Sequence, residues 1–494
     1  MFDQIDTIRR EVSTGLDHER RSQLGQFMTP SRIARFMASL FTQRGHENVS
    51  LLDAGAGVGS LTAAFLERVQ TGWGGFRQIR ATAYEIDPAL LYVLENNLSN
   101  YQDFALGFGV KFLADVQAKD FIEDTVLRLQ SGRSSCFDYA ILNPPYKKIN
   151  SHSSHRQLLR VAGIETVNLY AAFVALSLHQ MKQGGQIVAI IPRSFCNGPY
   201  YRPFREQILA KAAIQQIHLF KSRSKAFGED AVLQENIILH LVKGEAQQRV
   251  IVSTSSDDTF TDLQATALDF DQIVKTDDSE RFIHIPTGHQ ESSLELPQAF
   301  SYSLTQIGVT VSTGPVVDFR VKEHLRAQPD DRSVPLLYPA HFGGKHLNWP
   351  KADFKKSNAI DYNSETAKWL YPAGFYTAVK RFSSKEEKKR IVARVVSPER
   401  LLGTHYGFEN HLNIFHSKKH GLPEELALGL AVYLNSSLID QYFRQFNGHT
   451  QVNATDLRLL TYPSRAALEN LGRWANDLPN FEQTIIDEKV ASLS

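Results

Sequence analysis

Short apolar runs and stretches with helical spacing alternate along the first half of the chain. A run over 49–53 leads into Asp53-Ala54-Gly55-Ala56-Gly57-Val58-Gly59, after which Leu61, Phe65, Leu66 and Val69 keep the spacing of an amphipathic helix. The same alternation predicts strands over 79–86, 110–113, 137–142 and 186–191, with helices over 88–97, 121–129 and 166–181 between them. Upstream, 29–41 reads as a helix with Thr29 as its cap, Pro30 in its first turn, and Ile33, Phe36, Met37, Leu40 and Phe41 on one stripe. Such alternation builds a parallel sheet with helices on both faces. Two further strands over 214–220 and 236–242 complete a mostly parallel, seven-stranded α/β sheet.

Beyond Lys243-Gly244 the texture changes, because residues 253–280 are polar and acidic with few long apolar runs. We therefore expect a first domain over 1–244, opening with a helical segment over 1–24, a connecting region over 245–300, and an α+β domain over 301–494. In that last part, 304–317, 335–342 and 371–396 mix short strands with glycine, proline and aromatic residues, and 424–446 reads as one amphipathic helix. Neither an internal repeat nor a low-complexity tract interrupts the chain.

A length of 494 residues agrees with two or three domains, and 42% hydrophobic with 22% charged residues is the composition of a soluble globular protein. The first 25 residues carry charge at every turn, unlike an export signal, and the longest apolar runs, such as 187–191, are far too short to span a membrane. Cys136 and Cys196 allow at most one disulfide and no zinc cluster, so a cytoplasmic location with no membrane attachment is expected. A net charge of +1 leaves only local clusters to attract nucleic acid. In one of them Lys380, Arg381, Lys385, Lys388, Lys389, Arg390, Arg394 and Arg400 face Glu386, Glu387 and Glu399; a phosphate grip and a solvated charged turn both fit it.

Two short motifs bear on chemistry. Glycines at 55, 57 and 59 let the backbone approach a ligand at the start of a helix, and Glu85, ending the next strand, can accept both hydroxyls of a ribose. The Gly-x-Gly-x-Gly spacing departs from the dinucleotide fingerprint, so a nucleoside cofactor fits better than NAD; a plain strand-to-helix turn is the alternative. Ninety residues beyond Asp53, Asn143-Pro144-Pro145-Tyr146 begins directly after the fourth strand. Its prolines remove two donors and fix two φ angles, leaving the Asn143 amide oxygen and the Pro144 carbonyl as acceptors aimed at a cleft, with Tyr146 as a flat face for a base. An aromatic amine is a poor nucleophile because its lone pair is delocalised. Two acceptors on its hydrogens favour the tetrahedral form, which can take a methyl group in line from a sulfonium without a metal or a covalent intermediate. A merely rigid Pro-Pro loop is the plainer alternative.

These motifs, with Gly25-Gln26-Phe27-Met28-Thr29-Pro30 upstream, resemble the gamma class of amino-methylating DNA methyltransferases. The stretches Val379-Lys380-Arg381-Phe382-Ser383-Ser384-Lys385-Glu386-Glu387-Lys388 and Phe446-Asn447-Gly448-His449-Thr450-Gln451-Val452-Asn453-Ala454-Thr455-Asp456-Leu457 are similar to the PstI/BsuBI modification methylases, a likeness that covers nearly the whole chain. The resemblance implies a Rossmann-like S-adenosylmethionine-dependent methyltransferase domain followed by a target-recognition domain. It implies methyl transfer from S-adenosyl-L-methionine to the N6 amine of an adenine flipped out of duplex DNA. It further implies a separate restriction endonuclease acting on the same site, and hints at the palindrome CTGCAG; a monomer suffices for hemimethylated DNA.

By the same resemblance Thr29 and Pro30 hold the methionine part of the cofactor, Asp53, Gly55 and Gly57 form its glycine loop, Glu85 takes the ribose and Asp115 the adenine amine. Asn143, Pro144, Pro145 and Tyr146 are the catalytic residues. Phe227 packs on the flipped base opposite Tyr146, although a core phenylalanine fits that position equally. Lys380, Arg381, His449, Gln451 and Asn453 contact DNA, with Asn447 and Arg458 as further candidate readers; caps and turn residues are the equal alternative for this polar loop. His152 and His155 lack a third ligand, and His405, His411 and His416 are read in the same way, so no metal is expected. The catalytic loop also suits an amine of RNA or an amide of protein, and the large second domain favours DNA. A DNA-binding module without activity is opposed by the intact motif at 143–146, and a fused nuclease by the lack of a metal-carboxylate motif.

Overall fold

The computed structural model describes residues 2–15, 28–133, 136–221, 235–276, 278–286, 296–343, 346–383, 387–401, 403–447, 451–476 and 482–493. They form two compact units, Met1–Thr287 and Gly288–Ser494. In the first, helices α1 (Phe2–Gly15) and α2 (Ser31–Ser39) precede β1 (Asn48–Ala54), α3 (Ser60–Gln70), β2 (Gln78–Tyr84), α4 (Pro88–Leu106), β3 (Lys111–Gln117), α5 (Phe121–Gln130) and β4 (Phe137–Leu142). There follow α6 (Ser154–Val161), α7 (Leu169–Gln180), β5 (Met181–Pro192), α8 (Arg202–Lys211), β6 (Ala212–Phe220), β7 (Asn236–Lys243), β8 (Val250–Ser255) and β9 (Gln264–Leu268).

All nine strands share one sheet in the order β3-β2-β1-β4-β5-β7-β6-β8-β9. Strands β1 to β5 pair in parallel, β7 runs antiparallel to both β5 and β6, β8 is parallel to β6, and β9 is antiparallel to β8. The α/β architecture agrees with the alternation of apolar runs, but seven mostly parallel strands become nine of mixed direction. The two extra strands lie inside the stretch read as a connector. Four of the five residues of β9 are exposed, so no apolar run announces it.

Burial explains the clearest elements. Every residue of β4 is buried, and α7 is buried on nearly all sides, which is why it is apolar all round instead of striped. Each such leucine or isoleucine contributes ~1.5–3 kcal/mol by leaving water. Helix α4 starts where Asp87 accepts from the Ala89 backbone N–H at 3.0 Å and Pro88 occupies the first turn. No helix among the described residues is long and apolar enough to cross a membrane.

The second unit contains an antiparallel sheet of Thr310–Thr313, Leu412–His416, Tyr376–Lys380 and Ala393–Val396, in that order, and a sheet of five shorter strands. Its helices are α9 (Glu424–Leu434), α10 (Ser437–Phe446), α11 (Ala454–Leu459), α12 (Arg465–Asn476) and α13 (Gln483–Ala491). The single helix expected over 424–446 is therefore two. Ser436 accepts from the Ile439 N–H and starts α10 afresh, while residues 426–434 of α9 are all buried. Helices α9 and α12 touch through their backbones: a Cβ on Gly429 would lie 1.9 Å from the Leu468 carbonyl oxygen, and one on Gly472 1.7 Å from that of Glu425. Only glycine permits that approach.

Candidate active site

Strand register brings the two sequence motifs together. Leu52 of β1 is level with Ala140 of β4, and Asp53 with Ala83 of β2. Counting on from those pairs, Gly55, Asn143 and Glu85 leave neighbouring strand ends in one row. They do so at the crevice where the strand order reverses between β1 and β4, the usual ligand position in such sheets. A Cβ at Gly55 would lie 3.9 Å from the Asn143 carbonyl oxygen and 3.8 Å from the ring of Phe173. The loop is held from β2: the N–H groups of Gly55 and Ala56 both donate to the Tyr84 carbonyl at 2.9 Å, and that of Gly57 donates to Glu85 Oε2 at 2.9 Å. Gly55 and Gly57 have φ of +80° and +59°, a region that glycine alone enters cheaply.

The row opens on a cavity of about 350 Å³ lined, among others, by Thr29, Gly55, Gly57, Glu85, Asn143 and Pro145. Glu85 also accepts from the N–H groups of Ile86 and Asp87 at 2.8 Å each through Oε1. Burial raises its pKa, and these backbone donors oppose that shift. Among the described residues Oε2 accepts only from Gly57, and it keeps a lone pair for a donor in the cavity. Thr29 does not cap α2, which begins after Pro30 without a side-chain cap. Its hydroxyl instead accepts from Asn143 Nδ2 at 2.9 Å, which turns the amide oxygen of Asn143 the other way.

That oxygen meets the Tyr146 hydroxyl at 3.0 Å, which also lies 3.1 Å from the Ile190 carbonyl. The Tyr146 ring packs edge-on against Tyr170 at 6.3 Å and does not line the cavity, contrary to the open face expected for it. Pro144 is buried and does not line it either. Asp53 is fully buried behind the loop, where it accepts from the Thr62 hydroxyl at 2.7 Å; burial pushes its pKa up to about 7. It braces the loop from below and does not line the cavity.

Asp115 is corrected by the same register. It pairs with Thr82 inside β3, three residues short of the row that holds Glu85, and is not part of the cavity wall. The carboxylate that lines the cavity there is Asp120, the cap of α5, followed by Phe121. An acid directly before an aromatic residue at a helix start was the available signal. Oδ2 of Asp120 meets His155 Nε2 at 3.0 Å. Burial raises the Asp120 pKa, but His155 and the backbone donors outweigh it and hold the carboxyl below its ordinary value. Phe173 of α7 had no local signal, because in sequence it is one apolar residue among many.

In the second unit the expected DNA contacts are largely engaged within the fold. Lys380 pairs with Glu387 at 3.2 Å, and Arg381 donates to the Asn410 carbonyl at 3.1 Å and to Gln451 Oε1 at 3.3 Å. Asn453 forms a capping box with Asp456. Asn447 is buried, accepts from Arg390 Nη2 at 2.7 Å and donates to Asp456 Oδ2 at 2.9 Å, and Arg458 donates to the Val311 carbonyl. Among the described residues the basic cluster is no continuous patch: Arg390 is buried and Lys389 bonds the Asn435 carbonyl, while Lys388 and Arg400 are exposed. His405 stacks on Tyr362, His411 bonds Glu409 and His416 bonds Ser312, three separate uses. Phe227, Lys385 and His449 lie outside the described residues.

Comparison with known proteins gives the family of the chain. The family model described as Eco57I restriction-modification methylase matches residues 82–227. The type II methyltransferase M.BsuBI of Bacillus subtilis is 49% identical over 500 residues, covering 100% of this chain and 98% of its own. The type II methyltransferase M.PstI of Providencia stuartii is 45% identical over 488 residues, covering 98% and 95%. The solved DrdV–DNA complex matches with a TM-score of 0.53 at 11% identity over 92% of this chain and 57% of that one, a likeness of fold. Identity of this size running through both units means that the chain belongs to the type II methyltransferases of restriction-modification systems.

Proposed function

We propose that this methyltransferase transfers a methyl group from S-adenosyl-L-methionine to the N6 amine of a flipped-out adenine in duplex DNA. The observation that carries the reading is the row of Glu85, Gly55 and Asn143 on one cavity wall. The cavity is within the range of small-ligand sites, and its donor set fits the cofactor: Glu85 would hold the ribose hydroxyls, Asp120 the adenine amine beside Phe121, and Thr29 the methionine part. When bound, S-adenosylmethionine would supply a methyl group on a positively charged sulfur that becomes a neutral thioether as its bond to that carbon breaks, and the methylated nitrogen would release one proton to water.

The chain's own work is positional. Asn143 Oδ1, on the cavity wall, accepts one hydrogen of the target amine and draws its lone pair out of the ring, with the backbone carbonyl of Pro144, a residue that does not itself line the cavity, as the second acceptor. The Tyr146 hydroxyl lies within hydrogen-bond reach of both Asn143 Oδ1 and the Ile190 carbonyl and steadies the amide from that side. Thr29 fixes which way the Asn143 amide faces. Extraction of the base is required because its amine otherwise lies inside the duplex. The enzyme acts in the cytoplasm, and protects the site of a separate restriction endonuclease.

The test is methyl-labelled cofactor offered with duplex DNA, ribosomal RNA and protein, followed by mapping of modified bases. The expected result is N6-methyladenine at one short palindrome, with CTGCAG tried first. Label in RNA or protein but none in duplex DNA overturns the proposal.

A further inference from the structure

Asp120 is held from two sides. Its Oδ1 accepts from the backbone N–H groups of Ile122 at 2.8 Å and Glu123 at 3.0 Å, which sets the carboxylate at the head of α5. Its Oδ2 meets His155 Nε2 at 3.0 Å, and both residues line the cavity. His155 stands in the first turn of α6, nine residues beyond Tyr146. The chain between them is itself fastened: Leu169 N–H donates to the Lys147 carbonyl and Ile149 N–H to the Val167 carbonyl, both at 2.8 Å. The pair therefore ties the segment leaving the catalytic loop to the wall that carries Asp120.

We propose that His155 is a positioning residue for the cofactor: it holds Asp120 Oδ2 toward the amine of an adenine ring and closes that end of the cavity. The inference rests on the cavity being the S-adenosylmethionine site. A carboxylate oxygen has two lone pairs, so His155 takes one and leaves the other for an amine hydrogen. Held at both oxygens, the carboxylate cannot turn away from the cavity. The groups that face His155 are Asp120 and Glu123 of α5 and Lys147 of the connecting segment; the bond to Asp120 favours the protonated imidazole, against burial and Lys147. A protonated imidazole makes the stronger, charge-assisted bond.

The experiment compares His155→Ala and His155→Gln with the unaltered full chain. Cofactor binding is measured by calorimetry without DNA, methylation by steady-state rates on duplex DNA, and folding by thermal melting. His155→Ala is expected to raise both the Kd and the KM for S-adenosylmethionine about tenfold, ~1.4 kcal/mol, with kcat within about twofold. His155→Gln, which keeps a donor, recovers part of the loss. The unaltered chain binds cofactor more weakly as pH rises past the raised pKa of His155 and the imidazolium is lost, whereas the glutamine variant is flat over that range. A His155→Ala chain that melts lower but keeps its cofactor Kd and KM overturns the proposal and leaves the pair as a strut between α5 and α6. An unaltered chain that binds no S-adenosylmethionine overturns the reading of the cavity itself.

Discussion

Glu85 in the first unit and Asp456 in the second are both buried carboxylates that gather N–H groups, and they face opposite ways. Glu85 accepts three backbone donors and still lines an open cavity. Asp456 is fully buried, takes its bonds from Asn453 and Asn447, lies near Arg390, and is pushed up to about 7 by burial. Polar groups just past the ends of parallel strands have no further sheet partners, so those of the first unit open on the cavity. In the second unit Asn447, Asn453 and Asp456 bond one another and hold a fold together.

The largest effect should come from removing the cation of the inward arrangement. Arg390→Ala leaves the Ser383 hydroxyl and the Asn447 amide oxygen buried without their charged donor and should lose about 2–5 kcal/mol in urea unfolding, the weight of one to two hydrogen bonds to a charged group; a loss below about 1 kcal/mol would mean that the network is slack. Next comes the outward arrangement. Asn143→Ala should lower the single-turnover methylation rate by roughly 10²- to 10³-fold, as removal of one preorganised partner does elsewhere, with melting nearly unchanged. An undiminished rate removes Asn143 from the acceptor role. Glu85→Gln should weaken cofactor binding by about 10- to 100-fold, the weight of a hydrogen bond to a charged group, as read by calorimetry.

Smaller effects sharpen the contrast. Asn453→Ala should cost about 1 kcal/mol of stability as a lost cap and leave the methylated sequence unchanged. If the variant instead methylates a relaxed set of sites in sequenced DNA, Asn453 reads a base after all. A slope with pH tests the two buried carboxyls themselves. Asp53 has its pKa raised from 3.8 to about 7, so in that window the folded chain holds a proton that the unfolded chain has lost, and stability falls as pH rises from about 4 to about 7. Asp456 adds the same trend. Asp53→Asn should flatten the plot of melting temperature against pH there, and an unaltered slope would show that Asp53 does not titrate.

Much of the first unit was legible. Strands β1, β4, β5 and β7 are apolar runs bounded by turn residues, and α4 carries its own proline and aspartate start signals. Strand β9 was not legible, since an edge strand with four exposed residues has no hydrophobic signature. The break at Asn435-Ser436 was hidden because two buried helices in succession keep an apolar texture across the gap. Asp115 follows the strand read over 110–113, but that strand runs on to Gln117 and the acid on the cavity wall is Asp120, because sequence does not show how far a strand extends.

Sequence alone determined the residue types at the strand ends, and with them the chemistry on offer: glycines for close approach, an acid, and a proline-stiffened asparagine. Those choices are local, made by backbone conformations that a few neighbours impose. Tertiary structure alone decided which of them meet. The register of β1 against β2 and β4 set Gly55 level with Glu85 and Asn143, while packing in the second unit turned Asn447 and Arg390 inward. Register and burial depend on partners far along the chain, and no local pattern carries them.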